Sequence, residues 1–204
     1  MHQINIEHVY NIALKHAESR KALYLLKEMK AHSMETYVHT INVCLTSFYF
    51  SKYLGLSESL TELVFDAALV HDLGKLKVPV SILHKNGKLT PGERQVMNEH
   101  VKYSYAMTQD FATLENAAMI GCLHHERWDG NGYPLRLKGN EIPYIAQVLA
   151  IVDAWDAMVS NRSYRKGMPI TKALETLLDE REMGQFNPKL VDSFAMFIGE
   201  TYNL

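Results

Sequence analysis

The sequence predicts an all-α fold, a compact multi-helix bundle, on three observations. Apolar residues recur at helical spacing in segment after segment. Helix caps punctuate those segments, most clearly at Thr90-Pro91-Gly92-Glu93 and Asn187-Pro188. Alternation of apolar and polar residues never persists beyond a few positions, so strands are not expected. The 204 residues suffice for one domain with its own core, and neither a linker nor a repeat divides them. We expect a single domain over 1–204, with a helical lead-in over about 1–30, a core over about 33–165 and C-terminal packing helices over about 169–204.

Composition narrows the function classes. The chain is 47% apolar and 22% charged, with no low-complexity block. A net charge of -2 supplies no basic stripe, so duplex nucleic acid is excluded as a partner, and a polyanion would need a local cationic site. Cys44 and Cys122 are far apart, which fits two unpaired buried thiols in a reducing cytoplasm. The opening Met1-His2-Gln3-Ile4-Asn5 has no leader pattern, and no apolar run approaches the roughly 18 residues of a membrane span, so a soluble, unexported protein is expected.

The first helix is expected from Ile6 to about Met29, with Val9, Ala13, Ala22, Leu26 and Met29 on its apolar side. His8, His16 and His32 near it share no motif and read as solvated or structural. Ser33 caps a second helix through Glu35, His39, Ile41, Cys44, Leu45 and Phe48, which runs towards Tyr53 and stops at Gly55. Glu35 and His39 are four residues apart and share one face. Ser59-Leu60-Thr61-Glu62 reads as a capping box for a strongly apolar third helix through Leu63, Val64, Ala67, Ala68 and Val70. That helix delivers His71-Asp72-Leu73-Gly74-Lys75: an imidazole, a carboxylate able to bridge two metals and a cation, with Gly74 relaxing the backbone between them.

Val78 to Leu89 reads as a loop with Pro79 and Gly87, leaving His84 exposed. The helix opened by Thr90 carries Val96, Met97, His100, Val101 and Tyr105, which turns His100 towards the core. A short helix over Leu114 to Leu123 ends at His124-His125. Adjacent helical residues point about 100° apart, so these two rings suit neighbouring ions better than one. They open the stretch His124-His125-Glu126-Arg127-Trp128-Asp129-Gly130-Asn131-Gly132-Tyr133-Pro134, in which metal-ligand chemistry runs into a glycine-punctuated turn. Leu135 to Ile142 is irregular or a small hairpin. Pro143 opens a helix with Ile145, Val148, Leu149, Val152 and Trp155 on one face, and Asp153 and Asp156 among them must be paired or metal-bound. Ile170, Ala173, Leu174, Leu177 and Leu178 mark a helix ending before Gly184. The last helix follows Asn187-Pro188 with Leu190, Val191, Phe194, Phe197 and Ile198 inward.

Glu35, His39, His71, Asp72, His100, His124, His125 and Asp153 together form a nitrogen and oxygen donor set too large for one ion of six coordination positions. It suits two or three divalent transition-metal ions in a metal-binding core. The absence of thiolates points to iron or manganese rather than structural zinc.

The His71-to-Lys75 motif, the His124-to-Pro134 stretch, Asp153-Ala154-Trp155-Asp156-Ala157 and Arg162-Ser163-Tyr164-Arg165 resemble the HD-GYP family, a subgroup of the HD-domain metal-dependent phosphohydrolases. The resemblance covers essentially the whole chain. It implies an all-helical bacterial enzyme that hydrolyses cyclic di-GMP to linear pGpG or onward to GMP. It also implies metal ligands at His39, His71, Asp72, His100, His124, His125 and Asp153, an additional carboxylate ligand at Glu35, a phosphate-side lysine at Lys75, and ligand contacts at Arg162 and Arg165. The Gly130-to-Pro134 loop, with Tyr133, is associated in the family with substrate or protein-partner recognition. Asn161, Ser163 and Ser104 depart from the usual residues and are expected to touch ligand fit more than chemistry.

The expected chemistry follows from the donors. Divalent ions neutralise a phosphodiester, acidify a bridging water that attacks phosphorus, and stabilise the leaving 3′ oxygen, with Asp72 as bridging ligand and Lys75 offsetting developing charge. Two readings compete with cyclic di-GMP hydrolysis. One changes the substrate to a mixed-base cyclic dinucleotide or another nucleotide. The other makes the domain a non-hydrolytic dinucleotide sensor or interaction module.

Overall fold

A computed structural model describes Glu7, Asn11 and residues 17–111, 114–161 and 166–204, and among these residues regular structure is entirely helical. The first helix is described from Ala17 to His32 (α1); Val9, Ala13, His8 and His16 lie outside the described residues. Ser33 ends α1 and starts α2 (Met34–Tyr53), its hydroxyl accepting the Thr36 N–H at 3.1 Å.

The core is built around α3 (Glu58–Val70), in which Val64, Phe65 and every residue from Ala67 to Val70 are buried. The unbroken apolar run that ends this helix must be enclosed by neighbours, and α2, α7 (Glu115–Gly121) and α8 (Tyr144–Val159) pack against the helix. In α8 the whole run from Ile145 to Val152 is buried for the same reason. The C-terminal pair, α9 (Ile170–Glu182) and α10 (Pro188–Tyr202), closes the bundle: Phe194 meets Phe50 of α2 edge-on at 4.9 Å and Trp155 of α8 at 5.5 Å. No described helix is long and apolar enough to cross a membrane.

Several boundaries differ from the sequence expectation. The cap of α3 is Ser57 rather than Ser59: its hydroxyl accepts the Leu60 N–H at 3.3 Å, and Thr61 is already buried inside the helix. The segment after Val78 is not all loop. Val80–Leu83 forms a short helix, α4, and His84 behind it is half-buried. The helix capped by Thr90 breaks at Glu99 into α5 (Pro91–Asn98) and α6 (His100–Thr108). The Met97 carbonyl at this break accepts a bond from the His100 ring at 2.7 Å. After Gly121 the chain turns instead of continuing as helix to Leu123.

Gly74, in a 3-10 turn over Leu73–Lys77, is required by space and not by flexibility. A Cβ there would lie 1.9 Å from the His100 carbonyl oxygen and 2.5 Å from the Ser104 nitrogen. Ser104 sits under the same turn, accepting the Gly74 N–H and donating to the His71 carbonyl, both at 2.8 Å. It is therefore a buried strut between α6 and the turn, not a residue of ligand fit.

Candidate metal centre

Helix ends set three of the histidines. The carbonyls of a helix's last turn lack intrahelical partners. Ala68 at the end of α3, Met97 at the end of α5 and Gly121 at the end of α7 each offer one to the imidazole three residues on. The Nδ1 atoms of His71, His100 and His124 lie 2.7, 2.7 and 2.6 Å from them. A carbonyl only accepts, so each Nδ1 carries a proton, and in the neutral, metal-binding form of each ring Nε2 presents the lone pair. All three Nε2 atoms are buried and without a hydrogen-bond partner, as is Asp72 Oδ1. Buried polar atoms are seldom left unpaired, and four in one place fit a bound cation.

Seven residues form three interlocking groups whose donor atoms lie within 4.8 Å of one another: His39, His71 and Asp153; His71, Asp72 and His124; and His100, His124 and His125. Asp72 lies between the poles. Its Oδ2 is 3.4 Å from His71 Nε2 and 3.6 Å from His39 Nε2, and its Oδ1 is 3.4 Å from His100 Nε2. Its two oxygens thus face different histidines, and a carboxylate so placed could hold a metal on either side. His124 belongs to two of the groups, one with His71 and Asp72 and one with His100 and His125, and its ring centroid lies 3.9 Å from that of His125. The chain has left the helix at Gly121, so the 100° divergence of neighbouring helical side chains does not apply.

Electrostatics follow the same division. Burial, with the charge of neighbouring histidines, holds His124 well below the ordinary histidine range; burial lowers His100 to about 4 and His125 to about 3, so these rings are neutral and ready to ligate. Burial alone would depress His71 too, but Asp72 and Asp153 overcome it and raise His71 to about 10. Despite burial, Lys75 and His71 hold the Asp72 carboxyl well below its usual range, and His39 and His71 do so for Asp153.

The supporting layer contains residues the sequence did not assign. Asp156 accepts the His39 Nδ1 proton at 2.6 Å and the Ser160 hydroxyl at 2.8 Å, orienting His39 so that its Nε2 is 2.8 Å from Asp153 Oδ1. The sequence flagged Asp153 and Asp156 as a pair that burial must satisfy; only the fold divides them into cluster member and orienting partner. Glu126, also buried, accepts the backbone N–H groups of Leu135, Arg136 and Leu137 at 2.6, 3.1 and 2.9 Å. It shapes the irregular segment that leads to a 3-10 turn at Gly139–Glu141. The signal was a glutamate inside the His124-to-Pro134 stretch with no ligand role. Glu126→Ala is expected to lower stability by about 2 kcal/mol through the loss of three carboxylate-accepted bonds. It would be read as a shift of the urea midpoint at constant m-value, and an unchanged midpoint would remove Glu126 from the scaffold.

The cluster opens into a cavity of about 390 Å³. Glu35 lines it, half-buried, but does not join the three donor groups. Lys75 lines it too, with its Nζ 2.6 Å from Asp72 Oδ2. Tyr133 stacks on His125 at 4.7 Å and 26°, so the glycine-rich loop turns its aromatic ring to the cavity. A Cβ on Gly132 would lie 2.4 Å from the Arg127 nitrogen, which is why glycine precedes that tyrosine. Arg162 and Arg165 lie outside the described residues.

Fold and site thus define a helical bundle carrying a buried histidine and carboxylate cluster suited to divalent metals. A family model described as an HD domain matches residues 12–190, and the chain belongs to this HD-domain phosphohydrolase family, whose members are metal-dependent. The chain is 36% identical over 177 residues to "3'3'-cGAMP-specific phosphodiesterase 2" of Vibrio cholerae serotype O1, covering 85% of this chain and 34% of that protein. It is 38% identical over 181 residues to a "Cyclic di-GMP phosphodiesterase" of Thermotoga maritima, covering 87% of this chain and 48% of the relative. The chain therefore spans about a third to a half of the length of these curated relatives. Among solved structures it resembles an HDG"Y"P protein from Bdellovibrio bacteriovorus, with a TM-score of 0.66 at 18% identity, covering 96% of this chain and 65% of that one, a likeness of fold.

Proposed function

We propose that the chain is a single catalytic domain that hydrolyses cyclic di-GMP to linear pGpG, and onward to GMP, as a metal-dependent phosphodiesterase. The observation that carries this reading is the convergence of seven donors from separate elements, four of whose buried atoms have no other partner. Two divalent ions would fit the two poles, with iron or manganese favoured by the thiolate-free donor set, and Glu35 on the cavity wall would serve a third. Such ions supply charge neutralisation at the phosphodiester and acidify a water for attack on phosphorus.

In this reading the protein's own residues do the rest. Asp72 ties the two poles together through its two oxygens. Lys75 holds Asp72 in the substrate-free state and offsets charge on the phosphoryl oxygens when substrate enters. Tyr133 covers His125 and gives a base an aromatic surface, while Arg162 and Arg165 grip the ligand. Exposed residues of the Gly130-to-Pro134 loop, such as Asn131, offer a surface for a signalling-protein partner. The two buried thiols, Cys44 and Cys122, suit a cytoplasmic protein.

The Vibrio relative named for 3'3'-cGAMP supports a second reading, a mixed-base cyclic dinucleotide as substrate. The deciding experiment is anaerobic purification, elemental analysis, and a product assay on cyclic di-GMP, 3'3'-cGAMP and cyclic di-AMP with iron or manganese. Fastest turnover of cyclic di-GMP is expected. Tight binding without turnover would instead make the domain a sensor.

Asp156→Ala is expected to weaken metal binding by about 10- to 100-fold, as for other partners that orient a ligating histidine. A chelator-competition titration measures this, with far-UV circular dichroism checking that the helices persist. Unchanged affinity would leave Asp156 as an ordinary buried ion-pair partner.

A further inference from the structure

The cavity into which the cluster opens is lined as well by residues between Ile82 and Leu89 and by Arg94 of α5. Among the described residues outside the cluster, the lining carries four cationic side chains, Lys75, Lys85, Lys88 and Arg94, against one carboxylate, Glu35. Two of the four are engaged: Lys75 by Asp72 at 2.6 Å, and Lys85 by both Glu93 oxygens at 2.8 and 2.5 Å. Lys88 and Arg94 are exposed and have no ion-pair partner among the described residues. Leu89 and Met97 lie on the same lining and supply an apolar surface beside these charges.

We propose that Arg94, assisted by Lys88, holds the second, non-scissile phosphodiester of a cyclic dinucleotide whose first phosphodiester lies at the histidine and carboxylate cluster. This rests on the hydrolytic reading above and extends it. A cyclic dinucleotide carries two anionic phosphodiesters, and the metal cluster can neutralise only the one it attacks. The other must be matched within the same cavity, whose volume of about 390 Å³ is that of a small-molecule site. Of the described cations there, Lys88 and Arg94 have no ion-pair partner, and a planar guanidinium can grip a phosphate with two parallel bonds. Tyr133, stacked on His125 at 4.7 Å, lines the same cavity as Arg94, so the guanidinium and the cluster share one binding space. A guanidinium whose only role was to keep this face hydrated would discriminate no ligand.

The test compares cyclic di-GMP with bis(p-nitrophenyl) phosphate, which has a single phosphodiester. For Arg94→Gln, KM for cyclic di-GMP is expected to rise about 10-fold or more with kcat changed less than about twofold. The ratio of kcat/KM between the two substrates is expected to fall by the same factor. Lys88→Gln is expected to act in the same direction more weakly, and Arg94→Lys to recover part of the loss. An equal loss on both substrates, or an unchanged KM, overturns the proposal. Absence of turnover of both substrates by the unmodified protein would defeat the hydrolytic reading. The dissociation constant of cyclic di-GMP, measured by calorimetry on the same variants, would then decide whether Arg94 binds the dinucleotide.

Discussion

Asp72→Ala is expected to abolish turnover of a cyclic dinucleotide, lowering kcat by about a thousandfold or more, because it removes a carboxylate whose two oxygens face His71 and His100 on different sides of the cluster. Metal content after desalting should fall with it. The loss should exceed the roughly 10- to 100-fold typical of residues that only orient a ligand. The change also takes away the partner of Lys75 and the main charge that keeps His71 protonated in the metal-free site. Asp72→Asn is therefore the better second variant: it keeps the shape, removes the charge and leaves the helices in place. Far-UV circular dichroism should stay helical for both. Retained turnover in either would remove Asp72 from the mechanism.

The second large effect concerns stability. Gly74→Ala should destabilise the protein by about 3 kcal/mol, at the upper end for overpacking, since the added Cβ meets backbone atoms of His100 and Ser104 that no rotamer change can move. For a chain of this size that corresponds to roughly 6–12 °C in Tm. The clash can be relieved only by separating the 3-10 turn from α6, which pulls Asp72 away from His100. Weaker metal binding should therefore accompany the lower Tm. A Tm within about 1 °C of the unmodified protein would show that the turn can shift without strain.

Local signals carried much of the fold. Ser33, Thr90 and Asn187 cap helices where the sequence places them, because a cap is a bond between near neighbours and needs no tertiary partner. Apolar periodicity identified α3 and α8 as deeply packed helices, since burial on several sides leaves a dense apolar run. Errors came where two local options competed: Ser57 against Ser59 for one cap, and continued helix against a break at Glu99. In each the choice depended on what the segment packs against.

The sequence by itself determined the helical class, the main helix boundaries and the inventory of histidines and carboxylates available for a cluster, all properties of residue type and short-range spacing. Only the tertiary structure decided which donors meet: Asp72 between the poles, Asp156 behind His39, Glu126 under the loop, and Glu35 on the cavity wall outside the donor groups. It also decided the imidazole tautomers, because each proton is placed by a helix-end carbonyl. The reason is geometric. Donors separated by up to 114 positions, from His39 to Asp153, converge through the packing of helices, and no local pattern encodes the angle at which two helices cross.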